Sequence, residues 1–407
     1  MATEYKKYIP TLRFPEFQND GEWKCVIIGD IISTINPPKK LQSSEYKKKG
    51  AFPIVDQSAS YIAGYSDNGD AVIDNNGYNY IVFGDHTCSL KLIDFPFIQG
   101  ADGIKIFKSK ITEVLTEYLY QYIFAHPINS KEYKRHFSDL KEKLLLYPTK
   151  ACEQKKIADC LSSLDKYIDA TKRKHELLKE HKKGLMQRLF PAKGKTTPEL
   201  RFPEFIGTNE WAPKQLGNIG ETLGGLSGKS AEDFGTGKPF VTYKQVFNSS
   251  EIDSSECALV QVSENETQNK LQYGDVLVTM SSETPDEVGY TAVVTDKNTP
   301  ECYLNSFCFI YRLFDNESID ARFLIYLFNN DVYRTAVVRI AQGITRFNIS
   351  KTKFKEIELV IPENKNEQIK IAETLSSVDK QIAEYDKKIK ALELHKKGLM
   401  QQLFPKL

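Results

Sequence analysis

Apolar residues recur at steps of three and four along two separate stretches of this chain. In the first the seam runs through Ile157, Leu161, Leu164, Ile168, Thr171, His175, Leu178, Lys182, Leu185 and Leu189. In the second it runs through Ile371, Leu375, Val378, Ile382, Tyr385, Ile389, Leu392, Lys396, Leu399 and Leu403. A heptad seam of this length predicts two long helices that pair as a coiled coil. At about 1.5 Å per residue the seam spans a rod of about 50 Å. Pro148-Thr149 precedes the first helix, and Pro362 with the box-like Asn364-Lys365-Asn366-Glu367 precedes the second; Phe190-Pro191 and Phe404-Pro405 close them. Outside the helices the pattern shortens. Apolar or alternating runs at Ala51–Val55, Tyr80–Phe83, Ile104–Phe107, Val276–Met280, Tyr290–Val294 and Phe307–Leu313 are broken by Gly, Asn and Asp clusters, as at 66–70 and 74–77, and read as strands. Helices near Glu113–Ala125 and Asp320–Asn329 interrupt them. The fold class expected is α+β, with two mixed α/β domains and two long helices.

The two helical stretches are copies. Glu153–Pro191 and Glu367–Pro405 align without a gap at an offset of 214, and their eleven-residue tails differ only at Arg188 against Gln402. Each half also opens alike. Leu12-Arg13-Phe14-Pro15-Glu16-Phe17 recurs as Leu200-Arg201-Phe202-Pro203-Glu204-Phe205, and Trp23 and Gly29 recur as Trp211 and Gly217, at an offset of 188. Between opening and helix the halves have diverged, the second being 26 residues longer. The segments expected are 1–150 and 192–362 as mixed domains, with 151–191 and 363–407 as helices. A shared frame holding unlike inserts is what a two-target binder needs.

Composition adds limits. The 407 residues are too many for one ordinary core. No apolar run can span a bilayer and the start, Met1 to Lys7, is polar, so no membrane and a cytoplasmic address are expected. Seven cysteines without a CxxC pair argue against a disulfide framework or a zinc site and are expected to be reduced core residues. The net charge of +1 hides a division: residues 151–190 carry 10 Lys and Arg against 6 Asp and Glu, whereas residues 191–362 carry 17 against 23. Phosphate contact by the long segments would have to come from local clusters, such as Lys47-Lys48-Lys49 or Arg334, Arg339, Arg346, Lys351, Lys353 and Lys355. Unaided binding to a polyanion should then be weak and salt-sensitive.

Catalytic chemistry is hard to place. Asn36-Pro37-Pro38 resembles an amino-methyltransferase motif, but Lys39 stands where a stacking ring is required. Gly224-Gly225-Leu226-Ser227-Gly228-Lys229-Ser230 misses a P-loop because Leu223 occupies the first glycine position. Of the six histidines only His181 and His395 repeat, and they read as helix-surface residues. Gly184 and Gly398 are more suggestive, since a mid-helix glycine costs roughly 1 kcal/mol and both fall beside the seam, where close approach of a second backbone would justify them. The segment Ala341–Ser350 carries Gln342, Thr345, Arg346 and Asn348, the donor and acceptor kinds that base edges need. Gly84–Lys91, with His86, Thr87 and Lys91, is closest to it in character in the first half.

The helical copies, with Glu-Gln, Ile-Ala, Leu-Ser-Ser and Lys-Lys-Gly-Leu-Met-Gln in register, closely resemble the specificity subunits of type I restriction-modification systems. The resemblance covers essentially the whole chain and includes Phe83-Gly84-Asp85-His86-Thr87, Gly225-Leu226-Ser227-Gly228-Lys229, Gly274-Asp275-Val276-Leu277, and Gly343 with Asn348-Ile349-Ser350. Tyr133-Lys134-Arg135-His136-Phe137-Ser138 departs from the pattern, where a glycine-containing loop would precede the helix. The resemblance implies that each mixed domain is a target recognition domain reading one half of a bipartite asymmetric DNA sequence. Two modification subunits would bring S-adenosylmethionine for adenine N6 methylation, and restriction subunits would bring ATP and Mg for translocation and cleavage. This chain would need no cofactor and would not be an enzyme. Antiparallel helices would set the unread spacer, and Gly184, Leu185, Leu189, Gly398, Leu399 and Leu403 would serve the coiled coil or subunit docking. The DNA contacts expected are His86, Thr87 and Lys91 in the first half and Gln342, Thr345, Arg346 and Asn348 in the second. The competing readings are a coiled-coil adaptor for proteins and a silent specificity-gene copy without a partner.

Overall fold

The computed structural model describes residues 8–101, 103–128, 135–298, 300–315 and 317–405; Met1 to Lys7, Tyr133 and Lys134 lie outside them. The chain forms two compact units that do not follow its linear order: residues 1–173 with 386–407, and residues 174–385. The long helices, Ala151–Leu189 and Lys365–Leu403, are each divided between them.

The first unit is built on a four-stranded antiparallel sheet in the order Ile32–Ile35, Ile104–Ser109, Tyr80–Gly84, Leu90–Ile93. A second sheet orders Gly64–Ser66, Phe52–Val55, Phe97–Gln99 and Val72–Ile73. The Tyr80–Gly84 strand is buried throughout, as a central strand of alternately packed β-branched and aromatic residues must be. The helix Thr116–Ala125 and the sheet enclose Trp23, Phe107, Tyr118, Tyr122 and Phe137.

The second unit repeats the plan. Its four-stranded sheet runs Gly220–Gly224, Cys308–Leu313, Val276–Thr279, Thr291–Val293, and its core gathers Trp211, Phe309, Tyr311, Phe323 and Phe354. Part of its extra length is the helix Asp331–Ile340 and the hairpin that follows it. In both units the residues before the first sheet strand pair with those before the long helix, Lys24–Ile27 with Leu144–Tyr147 and Ala212–Gln215 with Glu358–Ile361.

The seam is buried as its periodicity demands: every position from Ile157 to Leu189 and from Ile371 to Leu403 is buried or half-buried. Helix direction is legible inside each unit. In the first, Asp165 pairs with Lys396 and Lys172 with Glu393 (2.6 Å), so later residues of one helix meet earlier residues of the other. In the second, Lys174 sits over the Tyr385 ring and Lys182 pairs with Asp379 at 2.5 Å. Both segments are antiparallel. Lys182 and Lys396, cationic members of a mostly apolar seam, are neutralised there.

Two expectations need correction. Asn364 does cap the second helix, its Oδ1 accepting from Asn366 N at 3.0 Å, but Glu367 does not close the box. Its carboxylate instead accepts from Arg201 at 2.7 and 2.8 Å and from Trp211 Nε1 at 3.2 Å, because a buried charge is better matched by a guanidinium than by one amide. The cysteines are free thiols, yet only Cys302 and Cys308 are buried, while Cys25 and Cys152 are exposed.

Candidate nucleic-acid interface and helix tails

In the second unit the segment 341–349 folds as a hairpin. Gln342 and Asn348 exchange backbone hydrogen bonds at 3.0 and 2.8 Å, and a short ladder pairs Ser281 with Asn348 and Ser282 with Phe347. Gly343 has φ 143° and a Cβ there would sit 1.9 Å from Arg346 O, so the tip requires glycine. Gln342, Thr345, Arg346 and Asn348 are all exposed on this one hairpin. Behind it Arg334 donates to the carbonyls of Asp286, Val288 and Gly289 at 2.8 to 3.0 Å and lies over the Tyr290 ring. Arg334 therefore braces the loop 286–290 and is not a free cation. Lys353 pairs with Glu356 at 2.8 Å.

The first unit offers a different surface. His86 and Thr87 occupy the turn between the strands Tyr80–Gly84 and Leu90–Ile93, His86 half-buried and Thr87 exposed. By sheet order this turn corresponds to the 280–290 loop of the second unit and not to the hairpin 341–349. Asp85 ties it down, accepting from His136 N through its carbonyl and from Phe137 N through its carboxylate, both at 2.9 Å. Lys91 is a correction. It is buried, and its ammonium donates to the carbonyls of Asp56 (2.8 Å) and Ser60 (2.5 Å), while burial pushes its pKa down. Lys91 thus orders the 56–60 loop under the turn and presents no charge to a ligand. Strand alternation alone did not show this, because the side chain faces inward only in the register the sheet adopts.

The helix tails also divide. Leu189 lies in the second unit's core, where neighbouring Phe190 stacks on Phe323 at 5.6 Å, and Leu403 lies in the first unit's, where Phe404 meets Tyr122 at 5.4 Å. These leucines anchor helix to domain and are closed to any partner. Leu185 and Leu399 are half-buried against the same cores. A Cβ built on Gly184 or Gly398 meets nothing within 4 Å, so no second backbone of this chain explains either glycine. Gly184→Ala and Gly398→Ala are therefore expected to stabilise the chain alone by up to about 1 kcal/mol each. Unfolding by denaturant checks this, and a loss would show that the glycines relieve a constraint inside the chain.

Sequence reading missed the clamp at each helix start. Arg13 grips Glu153 at 2.7 and 2.8 Å and the carbonyls of Asp20 and Gly21; Arg201 grips Glu367 and the carbonyls of Thr208 and Asn209. The next residue extends it: Gln154 bonds Leu115 N, Glu113 O and Pro148 O, and Gln368 bonds Asp320 N, Ser318 O and Pro362 O. The signal was present in the duplicated Arg of the opening phrase and the duplicated Glu-Gln of the helix. Only their meeting was hidden.

Among the described residues no cluster of three His, Cys, Asp or Glu could hold a metal, and no helix is long and apolar enough to cross a membrane. Lys229 of the P-loop-like segment is spent on Glu266 at 2.5 Å, which with the Ser263 N–H holds that carboxyl down at about 2.

The architecture is a duplicated mixed α/β unit, each copy capped by the tail of a long helix. The family described as the type I restriction modification DNA specificity domain matches residues 20–180 and 208–394, and the chain belongs to it. The putative type I restriction enzyme MjaX specificity subunit of Methanocaldococcus jannaschii is 28% identical over 202 residues, which are 48% of this chain and 46% of that protein, so the chain spans about half the length of that curated relative. The crystal structure of a type I restriction-modification system S subunit from M. genitalium superposes with a TM-score of 0.63 at 16% identity, covering 98% of this chain and 99% of the other. The HsdS subunit from Thermoanaerobacter tengcongensis aligns at 0.45 and 15% identity, over 95% and 97%.

Proposed function

We propose that this chain is the non-catalytic DNA-recognition subunit of a type I restriction-modification complex, working with two adenine-N6 modification subunits and with restriction subunits. The first unit reads one half of a bipartite target and the second reads the other. The observation that carries the reading is the pair of unlike polar loops, 84–89 and 341–349, held on one duplicated scaffold. Gln342, Thr345, Arg346 and Asn348 meet base edges in the second half-site, and His86 and Thr87 act in the first. S-adenosylmethionine, ATP and Mg belong to the partner subunits. Gly184 and Gly398, open within this chain, face a modification subunit, so their alanine variants weaken assembly while stabilising the chain.

Long-read methylation mapping in a host expressing the chain with a modification subunit tests this. A two-part asymmetric motif is the expected result, and the absence of any sequence-specific methylation would leave the protein-adaptor or silent-copy reading. The helices set the gap between the half-sites. Inserting four residues, about one helical turn, before Leu178 should lengthen the unread gap and leave both half-sites unchanged. An unchanged gap or altered half-sites would refute the spacer role.

A further inference from the structure

Beside the hairpin of the second unit lies a cavity of about 400 Å3, a size at which pockets hold small molecules. Three of its eight lining residues are aromatic and the other five are polar or charged. Tyr243 and Phe247 stack one helical turn apart, ring centroids separated by 6.0 Å with 18° between planes, and Phe307, 55% exposed, joins them. Some of the polar groups in it are spent, Tyr243 OH donating to Ser281 O at 2.7 Å and Ser282 Oγ to Glu287 at 3.3 Å, and others are not. Ser281 Oγ is buried without a hydrogen-bond partner, and the side chains of Glu283 and Arg346 make no hydrogen bond or ion pair among the described residues. Buried orphan hydroxyls are uncommon in folded proteins and call for a ligand or another account.

The lining restricts what that ligand is. Flat aromatic walls suit a planar ring, and a guanidinium with a carboxylate suits a ring bearing both an acceptor and an amino donor. Cytosine, adenine and guanine have that combination. Position favours a base of the duplex over a free nucleotide, because Ser281 is laddered to Asn348 and Arg346 belongs to the same hairpin. Two residues from Arg346, at the glycine-set tip, Ile344 is 93% exposed. An isoleucine held out on a braced hairpin has the shape and polarity of a wedge between base steps.

We propose that the second unit turns one base of its half-site out of the stack into this cavity, with Ile344 filling the vacated step. The proposal rests on the DNA-reading assignment above, and the base concerned is distinct from any adenine presented to a modification subunit. The test uses the full chain with its modification subunit, bound to the mapped target duplex carrying a fluorescent base analogue at each position of that half-site in turn. Emission should rise several-fold at one position other than the methylated adenine, and a mismatch at that pair should tighten binding roughly tenfold or more, its unpairing being already done. Phe307→Ala combined with Ile344→Ala, both at exposed positions, should remove the rise while methylation mapping still reports the first half-site. If the duplex is bound and methylated but no such position brightens, or the double variant brightens like the wild type, the proposal fails and the readout assignment stands. If the chain binds no sequence selectively, both fail.

Discussion

Glu367→Ala is expected to cost about 3–5 kcal/mol of stability, the range for removing one partner of a buried ion pair. Glu367 is 1% exposed and takes three donors, two from Arg201 and one from Trp211, so truncation leaves the guanidinium without its counter-charge, its bonds to Thr208 and Asn209 remaining, and the indole N–H without its acceptor. In thermal unfolding this is a fall in Tm of about 6–20 °C for a unit of this size. The same change at Glu153 should cost less. Its carboxylate meets Arg13 at 2.7 and 2.8 Å, but Trp23 Nε1 is buried without a partner. Replacing both members in the second unit, Arg201→Met with Glu367→Leu, should recover much of the loss, since no uncompensated charge then remains buried. A Glu367→Ala protein that melts with the wild type would show that the clamp only decorates the helix start.

Arg346→Ala is expected to relax discrimination at one base pair of one half-site by about 1–3 kcal/mol, or roughly five- to 150-fold, while the other half-site is read as before. The side chain is exposed, unpaired among the described residues and mounted on a hairpin braced at Gln342 and Asn348, so it is positioned without being used by the fold. Arg346→Lys separates two roles. A phosphate contact tolerates lysine as a point charge, whereas a bidentate base contact loses its fork and should fail as alanine does. Methylation mapping of the two variants reads this directly. Unchanged specificity in both would assign the arginine to the hairpin alone.

These two residues differ in how far they could be found from the chain's order. Arg346 sits in a short polar run with Gln, Thr and Asn, and its exposure follows from that run. Local order points Glu367 to a capping box, whereas the residue that claims its carboxylate lies 166 positions away. Lys91 differs for the same reason: a cation in a polar-looking stretch is buried once its strand takes its place in the sheet and meets the carbonyls of Asp56 and Ser60.

Periodicity by itself determined the two helices, their seam and even the seam's cationic members, since a heptad is written in neighbours three and four positions apart. Most strands and the duplicated frame were equally local, readable from alternation and from matching phrases. Tertiary structure alone decided which halves of the helices join which unit, that Leu189 and Leu403 are closed inside cores, that Gly184 and Gly398 face open space, and that Ser281 and Arg346 share a cavity. Each of these depends on where distant segments return in space, and burial and charge pairing are settled only there.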